Sequence, residues 1–477
     1  MKSILTLFLV LMGLMAYPQP LTILIKDSLT DDVINTAVEL PDGNLLVAGI
    51  KNDQTLCNAL LYEVDQYGTP IRSKIFNHNG QISGIDNLIL TDSNSLIMSG
   101  YVQVDGKYNL WLVKMDFKMN ILDEQVFPLG DYNYASSSII RDKDHSLVCF
   151  GTVTTPDFNV FRPFLYKFSE EGDSIRLKIF EDHHTMGESD LLEFETGKGY
   201  YFFVYAFGGP TNEVGIELDS LFSVSEIHGI PNDFKQFCNA AWIDDHSFFV
   251  TGRKIYTITD RHYLGVQVLD TSFSAIHTEF LSFSDTNVFP GLRKNLDFID
   301  PEMVYIGGTH NFNSDIFYSG NSWIFLNRTD TALNIHWQKI YGGDGNYVLY
   351  GILATRDGGC LAYGTYYNYL QQDYQRDIFL LKVDKDGKPV SVDEIPVPDR
   401  SHYLLFPNPG DDIVHVRNSL PDATMVVFFT MNGEPVCTQE PGKGSGQIQT
   451  GSLKPGIYLY RVISRNQILS TGLWLKK

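Results

Sequence analysis

Two short segments carry residues whose types and spacing could do chemistry. Asp182-His183-His184, with Glu188 and Asp190 close behind, gathers imidazoles and carboxylates of the kind that ligate a divalent metal. Adjacent side chains in an extended segment point to opposite faces, so both rings would reach one ion only in a bent loop; a solvated polar loop is the expected role. Asp384-Lys385-Asp386-Gly387 has the first residues of a calcium loop but lacks the later Asp or Asn and the closing Glu. Between two apolar runs it reads as a hairpin turn. Cys57, Cys149, Cys238, Cys360 and Cys437 lie far apart, with no CxxC pair or Cys/His spacing, which argues against a metal held through sulfur. Cys149 and Cys360 fall inside apolar runs and are expected to be buried, and an oxidising compartment leaves room for one disulfide. No Gly-x-Ser-x-Gly elbow, His-Glu-x-x-His helix or phosphate loop occurs, so no catalytic residue, metal or cofactor is assigned.

The connections between apolar runs offer binding candidates instead. One set is short and rich in Asp and Gly, as in Pro41-Asp42-Gly43 and Asp244-Asp245-His246. The other reads as longer and aromatic: Tyr101 to Tyr108, Phe158 to Phe161, Tyr256 to His262, Phe312 to Tyr318, and Tyr366 through Tyr374. Long loops on one side of a rigid scaffold commonly bind, and Tyr is a contact residue of low entropy cost. Tyr101, Tyr108, Tyr256, Phe317, Tyr366, Tyr367 and Tyr369 are therefore the candidate ligand-binding residues, with packing over strand edges as the competing role.

What must position these loops is a repeat. Asp42-Gly43-Asn44-Leu45-Leu46-Val47-Ala48-Gly49 returns as Leu96 to Gly100, Leu147 to Gly151, Phe248 to Gly252, Val304 to Gly308 and Cys360 to Gly364. A weaker copy, Tyr201 to Ala206, makes seven, at spacings of 46 to 56 residues. Each unit adds a second apolar run ending in a turn, such as Leu60 to Gly68 or Phe379 to Gly387, then a further strand, so four strands per unit are expected. Units of this size and content predict a seven-bladed β-propeller. The last strand of a unit lies 24 residues before the next marker glycine (Phe76 and Gly100, Phe127 and Gly151, Ile340 and Gly364). The same offset from Gly49 falls on Ile25, so Leu21 to Ile25 is expected to complete the seventh unit, with Val390 to Val392 as the competing filler. The repeats resemble the loosely patterned propeller repeats of secreted bacterial proteins, a resemblance that implies a fold and no activity.

The two ends of the chain speak to destination. Lys2, the twelve apolar residues Ile4 to Met15, and Ala16 before Tyr17-Pro18 predict a cleavable signal peptide over residues 1–16, too short for the roughly 20 residues of a membrane span. No other segment qualifies as a transmembrane helix. After the propeller region, 17–392, a proline-bearing linker at 393–400 leads into a domain at 401–477. That domain carries Pro407-Asn408-Pro409, the hairpin signal Asn432-Gly433, Gly456-Ile457-Tyr458 and a terminal apolar strand ending at Lys476. In that order these motifs resemble the type A sorting domains of the type IX secretion system. The resemblance implies a small Ig-like β-sandwich, export across the outer membrane, the secretion machinery as a partner, and a protein released or attached to the outer cell surface.

Composition agrees with an all-β, folded chain: of 477 residues, 43% are hydrophobic and 13% aromatic, with 40 glycines and no sustained helical periodicity. The 57 acidic against 36 basic residues give a net charge of -21, which disfavours nucleic acid as a partner. Two function classes follow. One is a module binding an extracellular protein or glycan; the other is a secreted hydrolase or lyase whose site assembles in the propeller channel from different blades.

Overall fold

Each repeat folds into antiparallel strands because its apolar runs alternate with turns that reverse the chain. The structure, a computed structural model, describes residues 23–25, 30–390 and 405–477, apart from 54, 92–94, 195, 210–211, 257–260, 283–285, 316–318, 371–374, 417–423, 431–434, 440–446 and 465–466. The expected signal peptide and linker thus lie outside the described residues. Among those described, every regular element is a β-strand, and none is a helix able to cross a membrane. The chain divides into two compact units, Met1–Val390 and Ser391–Lys477.

In the first unit the strands form seven antiparallel sheets, each pairing its strands in chain order. Their first strands are Asp31–Glu39, Ser83–Leu90, Asn133–Arg141, Gly187–Glu193, Ala240–Trp242, the two-piece Val288–Pro290 with Leu296–Asp297, and Asn346–Ala354. The seventh sheet takes its last strand from the other end of the unit. Ile23–Ile25, the segment singled out by the 24-residue offset, pairs antiparallel with Asp377–Val383, Ile23 opposite Leu380 and Ile25 opposite Ile378.

Apolar packing links the sheets in sequence. Leu46, Ala48 and Leu61 of the first sheet pack with Ile85, Met98 and Trp111 of the second, and similar clusters join each later pair. One more cluster joins the seventh to the first: Leu361, Tyr363, Ile378 and Leu380 with Ile34, Val47 and Leu60. Polar contacts reinforce that junction. Arg376 donates from Nε to Asp31 Oδ1 at 2.8 Å and from Nη2 to Asp31 Oδ2 at 2.6 Å. Arg356 pairs with Glu39 at 3.2 Å and also donates to the Leu40 carbonyl. Because the Arg376 fork fits a carboxylate as an ammonium cannot, Arg376→Lys is expected to cost about 1–3 kcal/mol in a denaturant melt; an unchanged midpoint would show that the closing pair is idle.

The turn that follows the third strand uses one device in every sheet. Asp65 Oδ1 accepts the amides of Tyr67 and Thr69 at 2.9 and 2.8 Å, and Asp116, Asp219, Asp270, Asp330 and Asp384 do likewise at equivalent turns. In the third sheet the Ser169 hydroxyl takes the same place. Asp384-Lys385-Asp386-Gly387 is thus a turn whose carboxylate is occupied by its own backbone. Hydrogen bonds hold several of these carboxyls below the usual range: Asn120 on Asp116, the Ser223 amide on Asp219, and the Ser272 hydroxyl on Asp270. A depressed folded pKa contributes stability above the ordinary carboxylate pKa and loses it as pH falls through the folded value. Melting temperature is therefore expected to drop between about pH 4 and pH 2, and less steeply in an Asp116→Asn, Asp219→Asn, Asp270→Asn variant, which keeps the acceptors but cannot titrate. Equal slopes would remove these turns from the acid response.

The second unit holds two sheets. Leu405–Phe406, Ile413–Val416 and Gln447–Gln449 make one, and Pro435–Gln439, Thr424–Phe429, Gly456–Ser464 and Gln467–Lys476 the other. Residues of both, including Leu405, Val414, Ile448, Phe428, Tyr460 and Trp474, share one core.

Candidate functional site

The first strands of all seven sheets line a single cavity of about 640 Å³. Its wall runs from Asn35 to Glu39, Asp86 to Leu90, Ser138 to Ile140, Asp190 to Leu192, Asn239 to Ala241 and Leu292 to Asp297, with Leu353 from the seventh sheet. These are mainly the later halves of the strands, so the cavity lies toward the short turns that follow them. Aliphatic side chains cover much of the wall, while charged and amide groups converge from several sheets.

A β-bulge supplies some of these polar groups. Pairing slips by one residue between Ile34/Gly49 and Thr36/Ala48, and identically between Ile85/Gly100 and Asn87/Ser99, leaving Asn35 and Asp86 as the extra residues. A bulge re-aims a side chain, and here it adds Asn35 and Asp86 to the cavity wall. Asn35 donates to the Ile85 carbonyl at 2.8 Å, and Asn87 to the Ser138 hydroxyl, so amides stitch one sheet to the next. In the fourth sheet the slip falls between Glu188 and Asp190. Asp190 Oδ2 accepts the Ala240 amide at 3.0 Å and Asn239 Nδ2 at 3.4 Å. Desolvation pushes the Asp190 carboxyl up to about 6 despite these donors, leaving a group that changes charge in mildly acidic surroundings.

The cations come from the sixth sheet. Arg293 Nη2 lies 3.4 Å from Asp86 Oδ1 of the second sheet, and Lys294 Nζ lies 3.0 Å from Asp297 Oδ1. Asp297 Oδ2 also accepts the Ala354 amide at 2.8 Å. Of the polar groups in the cavity, sequence reading singles out only Asp190, beside His183 and His184. A signal existed: Asn35, Asp86 and Lys294 each stand fourteen residues ahead of a marker glycine, Gly49, Gly100 and Gly308.

The aromatic candidates are placed differently from expectation. Tyr366 and Tyr367 are the last residues of the strand Cys360–Tyr367 and are buried, which corrects their assignment to a loop. Tyr366 packs on Tyr347 at 4.8 Å between ring centres, and burial pushes its phenol up to about 12. Nor is Tyr101 to Tyr108 a long loop. The strands Ser95–Val104 and Lys107–Asp116 meet at Asp105-Gly106, both at positive φ, a two-residue turn that fits the twist of a hairpin. Tyr101 and Tyr108 are half-buried against each other, and the Tyr101 hydroxyl lies 3.4 Å from Cys57 Sγ. Tyr369 is in a turn and donates to Asn321 Oδ1 at 2.6 Å. Tyr256 ends the strand Ser247–Tyr256, and Phe317 lies outside the described residues. Phe158 and Phe161 are exposed.

His183 stacks on Phe207 at 3.9 Å, and desolvation lowers its pKa. Among the described residues, the grouping with metal-ligand atoms close together is Glu217, Glu226 and His228, in which His228 already pairs with Glu217 at 3.3 Å and stacks on Phe273. None of the five cysteines is joined in a disulfide, and Cys149 and Cys360 are buried.

In the second unit the sorting motifs meet although they are distant in sequence. The Trp474 indole donates to the Pro407 carbonyl at 2.9 Å, and Asn408 Oδ1 accepts the Leu475 amide at 3.0 Å. Gly456 and Ile457 pair with Lys476 and Leu475, the Tyr458 hydroxyl donates to the Lys454 carbonyl, and Lys476 Nζ meets Asp412 at 2.6 Å. Asn432 and Gly433 lie outside the described residues.

Residues 404–475 match the secretion system C-terminal sorting domain. No curated protein matches the chain by sequence. Among solved structures, it is similar to a puromycin hydrolase S511A mutant complexed with PGG: TM-score 0.50, 8% identity, 93% of this chain and 62% of that one. A eukaryotic initiation factor matches with TM-score 0.31, 10% identity, 64% of this chain and 66% of that chain. The β-propeller domain of the Trilobed protease from Pyrococcus furiosus matches with TM-score 0.36, 11% identity, 69% of this chain and 88% of that domain. The chain therefore spans just under two thirds of the length of the first two, and at such identities the likeness concerns fold alone. The first unit is propeller-like and all-β. With its type IX sorting domain, the protein is exported, and is secreted or attached to the cell surface.

Proposed function

We propose that the first unit is a seven-bladed β-propeller, closed by Ile23–Ile25, and that it is a ligand-binding module working outside the cell with the axial cavity as its site. The observation that carries this reading is convergence: one cavity takes wall residues from all seven sheets and charged groups from the first, second, fourth and sixth. Propeller sites assemble from different blades in this way, and a cavity of this volume falls within the usual range of about 300–1,000 Å³ for small-molecule sites. Residues 1–16 act as the cleaved signal peptide, and the second unit, a small β-sandwich, serves the export machinery. The aromatic rim becomes a packing feature, because Tyr366, Tyr367, Tyr101 and Tyr108 spend their surface on neighbouring strands.

The test is capture from an array of extracellular glycans and peptides by the purified protein and by Ala241→Trp, which fills the cavity from the fifth sheet. Capture is expected to vanish in Ala241→Trp and to persist in Tyr369→Ala. The reverse pattern would move the site to the rim. Asp190 favours a second reading, a hydrolase or lyase in the channel, since a carboxyl with its pKa near 6 can act as a general acid. Release of shortened products from a captured chain, lost in Asp190→Asn, would establish that reading over plain binding.

A further inference from the structure

The sixth sheet, like the fifth, where Lys235 pairs with Arg253 and Ala240 with Val250, has an interrupted first strand. Here Val288–Pro290 and Leu296–Asp297 both pair with Val304–His310, and residues 292–294 leave the ladder between Gly291 and Asn295, which hold the Gly307 carbonyl and amide. This segment is gripped by both neighbouring sheets. Toward the seventh, the Arg293 amide donates to the Tyr350 carbonyl at 2.7 Å, and the Ile352 amide donates to the Lys294 carbonyl at 2.9 Å. Toward the fifth, Asn239 Nδ2 donates to the Arg293 carbonyl at 3.1 Å while Asn239 Oδ1 accepts the Asn295 amide at 2.6 Å. The segment is thereby a fixed platform that carries Arg293 across to Asp86 on the second sheet. A regular strand would satisfy its backbone more simply, so the break is a feature of the cavity rather than of the sheet.

We infer that the axial cavity takes an uncharged, polyhydroxylated ligand, a neutral saccharide, held by donors on Arg293 and Lys294 and by acceptors on Asp86 and Asp190. This rests on the reading of the cavity as the binding site. The argument is the charge balance of the wall. Four carboxylates, Glu39, Asp86, Asp190 and Asp297, face two cations, Arg293 and Lys294. Glu39 is bound outside by Arg356, and Arg293 and Lys294 each already hold a carboxylate. An anionic ligand would have to share those cations against an excess of carboxylates, and a cationic one would have to compete with them for Asp86 and Asp297. A hydroxyl group both donates and accepts, so it can meet either member of a pair without adding charge. The cations keep room for such a contact, with side chains 33% and 43% exposed for Arg293 and Lys294 against 3% for Asp86. Between the polar groups, Leu88, Leu191, Ala240 and Leu292 offer apolar surface for the C–H faces of a sugar ring.

Isothermal titration of the purified exported protein tests this with three kinds of trisaccharide probe: neutral (maltotriose, cellotriose, xylotriose and chitotriose), anionic (trigalacturonate) and cationic (glucosamine trimer). A neutral probe is expected to bind with Kd below about 1 mM, and Arg293→Gln and Asp190→Asn are each expected to weaken it at least tenfold, with Tyr369→Ala within twofold. Melting temperatures accompany each variant, and should Arg293→Gln fail to fold, Asp190→Asn, which keeps its acceptor oxygen for the Ala240 amide, carries the comparison alone. Binding confined to charged probes, neutral binding unaffected by Asp190→Asn, or no binding by any probe overturns the inference. If array capture of some other ligand is still abolished by Ala241→Trp, only the ligand class falls; if capture survives Ala241→Trp, the cavity reading falls with it.

Discussion

A chain ending at Val390 is expected to fold and yet stay inside the outer membrane, with the amount reaching the surface or medium cut at least tenfold. The sorting motifs are confined to the second unit, where residues 404–475 match the sorting domain. That unit has its own core and its own hydrogen-bonded sheets, so removing it leaves the seven-sheet unit with every pairing described for it. Trp474 offers a finer tool. Its ring is fully buried, packs on Phe428 at 5.5 Å, and its indole holds the Pro407 carbonyl, so it fastens the Pro-Asn-Pro segment to the terminal strand. Trp474→Ala should cost about 3–5 kcal/mol, enough to unfold a unit of this size, and should block export without changing the melting transition of the first unit. Cell fractionation with a melting curve on the retained protein reads both. Normal amounts of the truncated chain outside the cell would mean that the sorting domain is not what exports it.

Gly49→Ala is expected to destabilise the first unit by about 1–3 kcal/mol or more, far beyond the few tenths that a glycine in a strand usually carries. A Cβ on Gly49 would sit 2.0 Å from the Val33 carbonyl oxygen; Gly100, Gly308 and Gly364 meet the carbonyls of Gly84, Phe289 and Val348 at 1.9, 2.2 and 2.1 Å. At Gly49, Gly100 and Gly364 the cause is the bulge in the first strand, which slips the register opposite the glycine and drives a carbonyl over its Cα. These atoms are backbone, so the strand itself must move. Gly106, whose Cβ would meet open space, is the contrasting site for packing, although its φ of +77° favours glycine for a separate reason. Denaturant melts of Gly49→Ala and Gly364→Ala check this, and a loss under about 0.5 kcal/mol would show that the first strand can yield.

The marker glycine was the most legible feature of this sequence because at Gly49, Gly100, Gly308 and Gly364 a backbone carbonyl lies where a Cβ would stand, which leaves one residue type. Turn aspartates were legible for the same reason: Asp65, Asp116 and Asp384 accept amides that follow at fixed spacing. The pairing of Ile23–Ile25 with the seventh sheet could be reached by counting, since it needs no side-chain geometry. What could not be read was whatever depends on register. A bulge hides in an apolar run, so Asn35 and Asp86 looked like ordinary strand residues. Asp190 was noticed only beside two histidines, whereas its partner is Asn239 on the next sheet. Tyr366 and Tyr367 follow a marker glycine and suggested a loop, but the strand continues through them into the core. Asp105-Gly106 was a turn signal available in the sequence, and weighing it would have shown Tyr101 and Tyr108 to be strand residues. The break in the strand near 291–295 gave no sign of itself; of its two adjacent cations only Lys294 stood at the fourteen-residue offset from a marker glycine, Gly308, and the contacts of both depend on the neighbouring sheets.

The cavity lined by all seven sheets is proposed to bind its ligand through groups from several of them. A crystal of the exported protein soaked with the tightest-binding neutral trisaccharide tests that most directly. Density for sugar rings is expected inside the cavity, within hydrogen-bond distance of Arg293 and Asp190; density beside Tyr369 on the rim, with the cavity holding only water, would rule the cavity out as the binding site.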